Sequence, residues 1–287
     1  MFEYSNGRLC LDGLALDEIA ARFGTPCYVY SRADIERAWR SYDRAFGARP
    51  HRIHYAVKAN ANLAVLDTLA RLGSGFDIVS GGELARVLAA RGQPAAIVFS
   101  GVGKTVSEME QALAAGVGVF NVESPAELDR LNAVAGRVGA RARIAVRVNP
   151  DVDAQTHPYI STGLDENKFG VPMADALEVY RAAARLPNID IVGVACHIGS
   201  QLTSLAPFAD AMARFELSEQ LVEVGHSAAA YTATGCREGP FLRGTVGAWA
   251  VGAISRSETA RFDLNSERLA SPLSTSSGAM NHGANFA

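Results

Sequence analysis

Cysteine is sparse in this chain and scattered where it occurs. Cys10, Cys27, Cys196 and Cys236 are its 4 cysteines, and no two of them form a CxxC pair. That excludes a zinc site or a disulfide framework as the organising feature, so no metal is expected. Long apolar runs are missing as well: no stretch approaches the roughly 18 consecutive apolar residues that a membrane span needs. Residues 1–13 alternate polar and apolar types and lack the basic and apolar regions of a secretion signal. A cytoplasmic protein without a membrane partner is the expectation. Nor is there a block of one charge. The 27 basic and 30 acidic residues are mixed along the chain, which leaves no basic stripe to follow phosphates and argues against nucleic acid as a partner.

What the chain does have is enough apolar material, 48% of 287 residues, to bury a substantial core in one large or two modest domains. From residue 52 to about 215 short β-type runs alternate with helical patterns, the signature of parallel strands joined by crossover helices. The predicted strands are 53–57, 75–79, 96–100, 118–122, 143–148 and 189–197. The predicted helices are 62–72, 82–90, 107–115, 125–138 and 173–185. Ser124-Pro125 reads as a cap followed by proline in the first turn, and Ser107 precedes Glu108 and Glu110 in another. Cys196 ends an apolar run and reads as a buried thiol.

A strand spacing of roughly 22 to 25 residues suits a (β/α)8 barrel better than a doubly wound sheet. Only about six strands are present. Residues 26–30 read as a short strand within an N-terminal segment (residues 1–30), and Ser31 caps a helix to about residue 46 that could lie across the barrel bottom. Residues 31–215 form the partial barrel. Its segment 149–171 is too long for an ordinary loop and is therefore expected to be functional. After residue 215 periodicity fades into Ser, Ala, Gly and Thr, so residues 216–287 are expected to be a divergent, poorly structured tail. A barrel stopped at six strands would leave two open edges. Either the tail supplies replacements, or the chain is a truncated or frame-shifted version of a longer protein.

Lys58 follows the first barrel strand, at the mouth where barrel enzymes assemble their sites, and an amine beside Ala56 and Val57 can form a Schiff base with an aldehyde. Alone, a lysine there is by default a solvated cation. The other strand ends add weight: Asp77 in the second strand, Arg147 near the end of the fifth, and His197 and Ser200 after the sixth. If the barrel closes, these bring an acid, a cation, a flat imidazole and a hydroxyl around one lysine. Each also has a plainer reading: Asp77 as partner of a nearby cation, Arg147 in a structural ion pair, His197 as a core histidine. The string SGVGKT, Ser100 to Thr105, mimics the end of a phosphate-binding loop, but Val98 stands where that motif needs glycine. Gly81-Gly82 could open an anion site at a helix start, and serves a turn on the simpler reading.

Taken together, YAVKAN, GFDIVSGGEL, VFSGVGKT, NVESPAEL, RVNPDVDAQTHPYISTGLDENKFGV and HIGSQL resemble the fold-type III pyridoxal-phosphate enzymes, and within them the bacterial diaminopimelate decarboxylase family. THPYISTG and NKFG favour that family over ornithine or arginine decarboxylases. The resemblance implies an incomplete TIM-type barrel of the alanine racemase-like kind, with pyridoxal 5'-phosphate held by Lys58. It implies His197 stacked on the pyridine ring, Arg147 near its phenolic oxygen, Ser200 on the phosphate and Asp77 orienting the site. The implied reaction is decarboxylation of meso-diaminopimelate at its D centre to L-lysine. The family's Gly-Gly-Gly loop, Glu-Pro-Gly-Arg segment and C-terminal Cys-Glu-Ser-Gly motif do not occur, and Cys236 in TGCREG is no substitute. A homodimer, the family's assembly, is doubtful without that C-terminal domain. The expectation is a family member by descent whose own activity is impaired. The alternatives are a cofactor-binding partial barrel without turnover, or another amino-acid decarboxylase or racemase of the same fold.

Overall fold

Glycine after asparagine or aspartate sets the first local structure. In the computed structural model, which describes residues 2–152, 169–198, 206–216, 228–235 and 248–255, Asn6-Gly7 and Asp12-Gly13 all have positive φ. Such pairs close tight hairpins. They join β1 (Phe2–Ser5), β2 (Arg8–Leu11) and β3 (Leu14–Ala15) into a small antiparallel sheet. Helix α1 (Leu16–Phe23) follows. Residues 26–30 are not a strand: they have no sheet neighbour to pair with, and Tyr28 is 90% exposed. The expectation of a strand there is corrected, since alternation without a partner does not make one.

Ser31 caps α2 (Arg32–Phe46) as expected, its Oγ accepting from the Asp34 amide at 2.9 Å and donating to Asp12 at 2.8 Å. The helix does not cross the barrel bottom. Its Ile35, Ala38, Trp39 and Tyr42 lie against Ile53 and Tyr55 of β4 (His51–Ala56) and Leu69 of α3 (Leu63–Arg71). It therefore packs on the helix-covered side of the sheet.

From β4 onward the chain alternates strand and helix: β5 (Gly75–Ile78), α4 (Gly81–Ala89), β6 (Ile97–Phe99), α5 (Val106–Ala115), β7 (Val119–Val122), α6 (Pro125–Val138) and β8 (Ala142–Asn149). The two-residue β9 (Val171–Pro172) adds beside β8, and α7 (Met173–Ala183) leads to β10 (Ile189–Ala195). Apart from β9, the strands from β4 to β10 make a parallel ladder in the order β10-β8-β7-β6-β5-β4, as the sequence periodicity predicts. Side chains fix the starts of α5 and α6: Ser124 accepts from the Glu127 amide, and Thr105 forms a full capping box with Glu108. Helix α5 accordingly starts one residue before Ser107.

The two-residue period of the strands sorts their side chains. Tyr55, Phe76, Ile78, Ile97, Phe99, Phe120, Val122, Ile144, Val146 and Val148 join the helices in one buried core. Asp77, Asn121, Arg147 and Asn149 alternate with them and fall on the opposite, inner face. Helix α8 (Ala206–Glu216) places Ala211 with Val152 and Ile198 in a separate small cluster. Two strands lie within the expected tail. β11 (Ala228–Gly235) and β12 (Ala248–Ser255) pair with each other antiparallel, and β12 pairs antiparallel with β4, Ala248 opposite Tyr55 and Gly252 opposite His51. The rest of residues 217–287, including Cys236, lies outside the described residues, as do residues 153–168 of the long insertion. Among the described residues no helix is long and apolar enough to cross a membrane.

Candidate active site

The lysine stands at a strand end because the strand stops there. β4 ends at Ala56, and a single 3₁₀ turn, Val57–Ala59, buries Val57 in the core and turns Lys58 out to an exposed position. The Tyr55 hydroxyl donates to the Asn60 carbonyl at 3.2 Å, and Asn60 and Asn62 hold the following backbone through their side-chain oxygens. The charge of Lys58 bears on Asp77, Glu83 and His197, which brings β4, β5, α4 and the end of β10 to one place.

Asp77 lies opposite Ala56 in the ladder and is buried. Burial pushes its carboxyl up to about 7, against the pull of the Ser100 hydrogen bond and the Lys58 charge. Ser100 Oγ donates to Asp77 Oδ1 at 2.5 Å and accepts from Asn121 Nδ2 at 2.9 Å, so one hydroxyl joins the ends of β5, β6 and β7. Glu83, raised by its own burial, accepts the Val79 amide at 2.7 Å.

Arg147 is paired. Its Nη1 donates to Glu123 Oε2 at 2.9 Å, and its guanidinium lies 5.5 Å over the Phe169 ring. Gly170 follows with φ +82°, and a Cβ there would come within 3.0 Å of the Arg147 carbonyl, so glycine is needed for the approach. His197 is half-buried; burial first, then the charges of Arg147 and Lys58, hold its ring well below the ordinary histidine range. It is a neutral, flat imidazole at neutral pH. Of the residues singled out in the sequence, Lys58, Asp77, Arg147 and His197 meet at one end of the sheet, and Ser200 lies outside the described residues.

A family model described as "Pyridoxal-dependent decarboxylase, pyridoxal binding domain" matches residues 32–235. The chain belongs to the pyridoxal-dependent decarboxylases. Diaminopimelate decarboxylase of Vibrio cholerae is 60% identical over 214 residues, 74% of this chain and 51% of that protein. The enzyme of the same name from Pseudomonas aeruginosa is 60% identical over 213 residues, again 74% and 51%. Among solved structures, diaminopimelate decarboxylase of Helicobacter pylori complexed with L-lysine superposes with a TM-score of 0.72 at 40% identity, covering 80% of this chain and 59% of that one. The chain thus spans about half the length of the curated relatives it matches.

The cofactor of a pyridoxal-dependent decarboxylase is pyridoxal 5'-phosphate, and the residues present fit its aldehyde and ring. They offer an exposed amine for the aldehyde, a neutral imidazole for the ring face, and buried polar atoms, Asn121 Oδ1 and Arg147 Nε, that have no hydrogen-bond partner among the described residues. Sequence reasoning about this pyridoxal-dependent domain missed Glu83, Ser100, Asn121 and Glu123. The signal available for Glu123 was its place just after a strand, level with Arg147 on the neighbouring one. The rejected lookalike SGVGKT is structural: Lys104 is fully buried and bonds Gly101 O, Asn121 O and Glu127 Oε1, each at 2.7 Å.

Proposed function

We propose that this chain holds pyridoxal 5'-phosphate on Lys58 and is the cofactor-binding part of a decarboxylase that converts meso-diaminopimelate to L-lysine in the cytoplasm. The observation that carries the reading is the meeting of Lys58, Asp77, Arg147 and His197 at one end of the sheet, in a chain that is 60% identical to diaminopimelate decarboxylases over this region.

When bound, the cofactor supplies an electron sink for the pair released as the substrate's Cα–carboxylate bond breaks. The chain's own residues prepare the place. Lys58 presents its amine at the strand end. The carboxyl of Asp77, poised at about 7, can hold or release a proton near that amine at neutral pH. His197 presents an uncharged ring that covers one face and excludes water. Arg147 is assigned to the ring's phenolic oxygen and Ser200 to the phosphate, on the strength of the family resemblance.

The test is to add pyridoxal phosphate to the purified chain, record the visible band of the lysine adduct, and measure carbon dioxide release from meso-diaminopimelate. The expected result is a band that is absent in Lys58→Ala, with carbon dioxide release by the wild type impaired. A band without release would confine this chain to cofactor binding. Absence of the band would refute the reading.

A further inference from the structure

Glu123 occupies the centre of a buried polar ladder. Its side chain is 1% exposed, and each carboxylate oxygen has a donor: Oε2 takes Arg147 Nη1 at 2.9 Å and Oε1 takes the Gly101 amide at 2.7 Å. Its own amide donates to Glu127 Oε2 at 3.0 Å. Glu127 in turn is bound by Lys104, whose amine also bonds the carbonyls of Gly101 and Asn121. The strand end that carries Glu123 is therefore fixed from both sides, and the carboxylate cannot turn from Arg147 without leaving the Gly101 amide unsatisfied. Across the sheet Arg147 lies opposite Ala195, two residues before His197. The ladder contains two cations, Lys104 and Arg147, and two carboxylates, Glu123 and Glu127, so its formal charge is zero.

We infer that Glu123 is a positioning residue that fixes the Arg147 guanidinium and cancels its charge toward the Lys58 end of the site. The inference rests on the reading of Lys58 as the cofactor lysine. Among the described residues, the ionisable groups around that lysine are Asp77 on β5, Glu83 on α4, His197 after β10 and Arg147 on β8, with Lys104 acting on Asp77 from the loop before α5. Among the described residues the cations in that set are Lys58, Arg147 and Lys104; Lys104 is paired with Glu127, and Glu123 is the acid that faces Arg147 directly. Removing the Glu123 charge leaves a net positive ladder, which disfavours a protonated nitrogen on Lys58. Removing the Arg147 charge leaves a net negative one, which favours it.

The experiment titrates the visible band of the Lys58–cofactor adduct in the full chain, in wild type, Glu123→Gln, Glu123→Asp, Arg147→Met and the double variant Glu123→Gln/Arg147→Met. The expected midpoint falls by about half a pH unit to one unit in Glu123→Gln and rises by a similar amount in Arg147→Met, as for one charge several ångströms away in a partly shielded site. The double variant and Glu123→Asp return close to wild type. A residue that served folding alone would lower the yield of folded protein without moving the midpoints in opposite directions. A wild-type midpoint in Glu123→Gln, or shifts of the same sign in both single variants, would overturn the inference. Should Glu123→Gln not fold, Arg147→Met decides, since an unshifted midpoint there also overturns it. A wild-type chain with no band sensitive to Lys58→Ala would remove the cofactor reading itself, and this inference with it.

Discussion

The Ser100 hydroxyl donates to Asp77 Oδ1 across 2.5 Å, tying the loop after β6 to a carboxyl buried within β5. This hydrogen bond favours the charged form, yet burial outweighs it and raises the carboxyl from 3.8 to about 7. The folded chain therefore holds the proton more tightly than the unfolded chain does. The stability that Asp77 contributes is complete below about pH 3.8 and is lost as the pH rises to about 7.

Asp77→Asn, uncharged at every pH, should remove that dependence while keeping an oxygen to accept from Ser100. Its stability relative to wild type should rise between pH 4 and pH 7, by at most on the order of 4 kcal/mol at about 1.4 kcal/mol per unit, and then level off. Urea denaturation of both proteins across that range measures it. A constant difference would mean that Asp77 is charged in the folded chain throughout.

Lys104 and Glu127 form a pair whose side chains are 0% and 6% exposed. Lys104→Met leaves the carboxylate buried without its cation and should cost about 3–5 kcal/mol. Lys104→Met/Glu127→Leu removes both charges and should recover most of the loss, although the Glu123 amide then loses its acceptor. Chemical denaturation of the two variants and wild type tests the ordering.

The parallel ladder was legible in the sequence because its strands are short, largely apolar runs followed by helical patterns, four of whose helices, α3 to α6, start on a capping side chain: Asn62, Ser80, Thr105 and Ser124. Local signals of that kind survive folding unchanged. Lys58, Asp77, Arg147 and His197 were legible as strand-end residues for the same reason. Glu123 was not, since its importance lies in register: β7 and β8 pair Asn121 with Ala145, which sets Glu123 level with Arg147. The SGVGKT lookalike was legible as such from Val98, but the structural role of Lys104 was not, because it depends on Glu127, more than 20 residues away. The hairpins at Asn6-Gly7 and Asp12-Gly13 carried a readable turn signal that the emphasis on residues 26–30 passed over.

The thiols should differ sharply in reactivity. Cys27 is exposed, Cys10 is buried, and burial pushes the Cys196 thiol up to about 12. Because the thiolate is the nucleophile, iodoacetamide at pH 8 should label Cys27 and spare Cys196 in the native chain. Peptide mapping by mass spectrometry reads the sites, and labelling of Cys196 at the rate of Cys27 would contradict its burial.

Glycine gives the closing test of how tightly the ladder is packed. A Cβ on Gly118 would meet the Ala95 carbonyl oxygen at 2.2 Å and its carbon at 2.9 Å, and both are backbone atoms with little freedom to retreat. The Gly118 amide also points at the carbonyls of Pro94 and Ile97, 3.1 Å from each, so moving the residue strains the link that starts β7 beside β6. Gly118→Ala should therefore destabilise by about 1–3 kcal/mol or more. Gly103, in the loop before α5, has open space around its Cβ position and no positive φ. Gly103→Ala should be neutral or stabilise by up to about 1 kcal/mol through the unfolded chain. Thermal melts of the two variants separate the explanations: equal losses would point to a general intolerance of alanine, whereas a loss at Gly118 alone ties the cost to the close approach of β6 and β7.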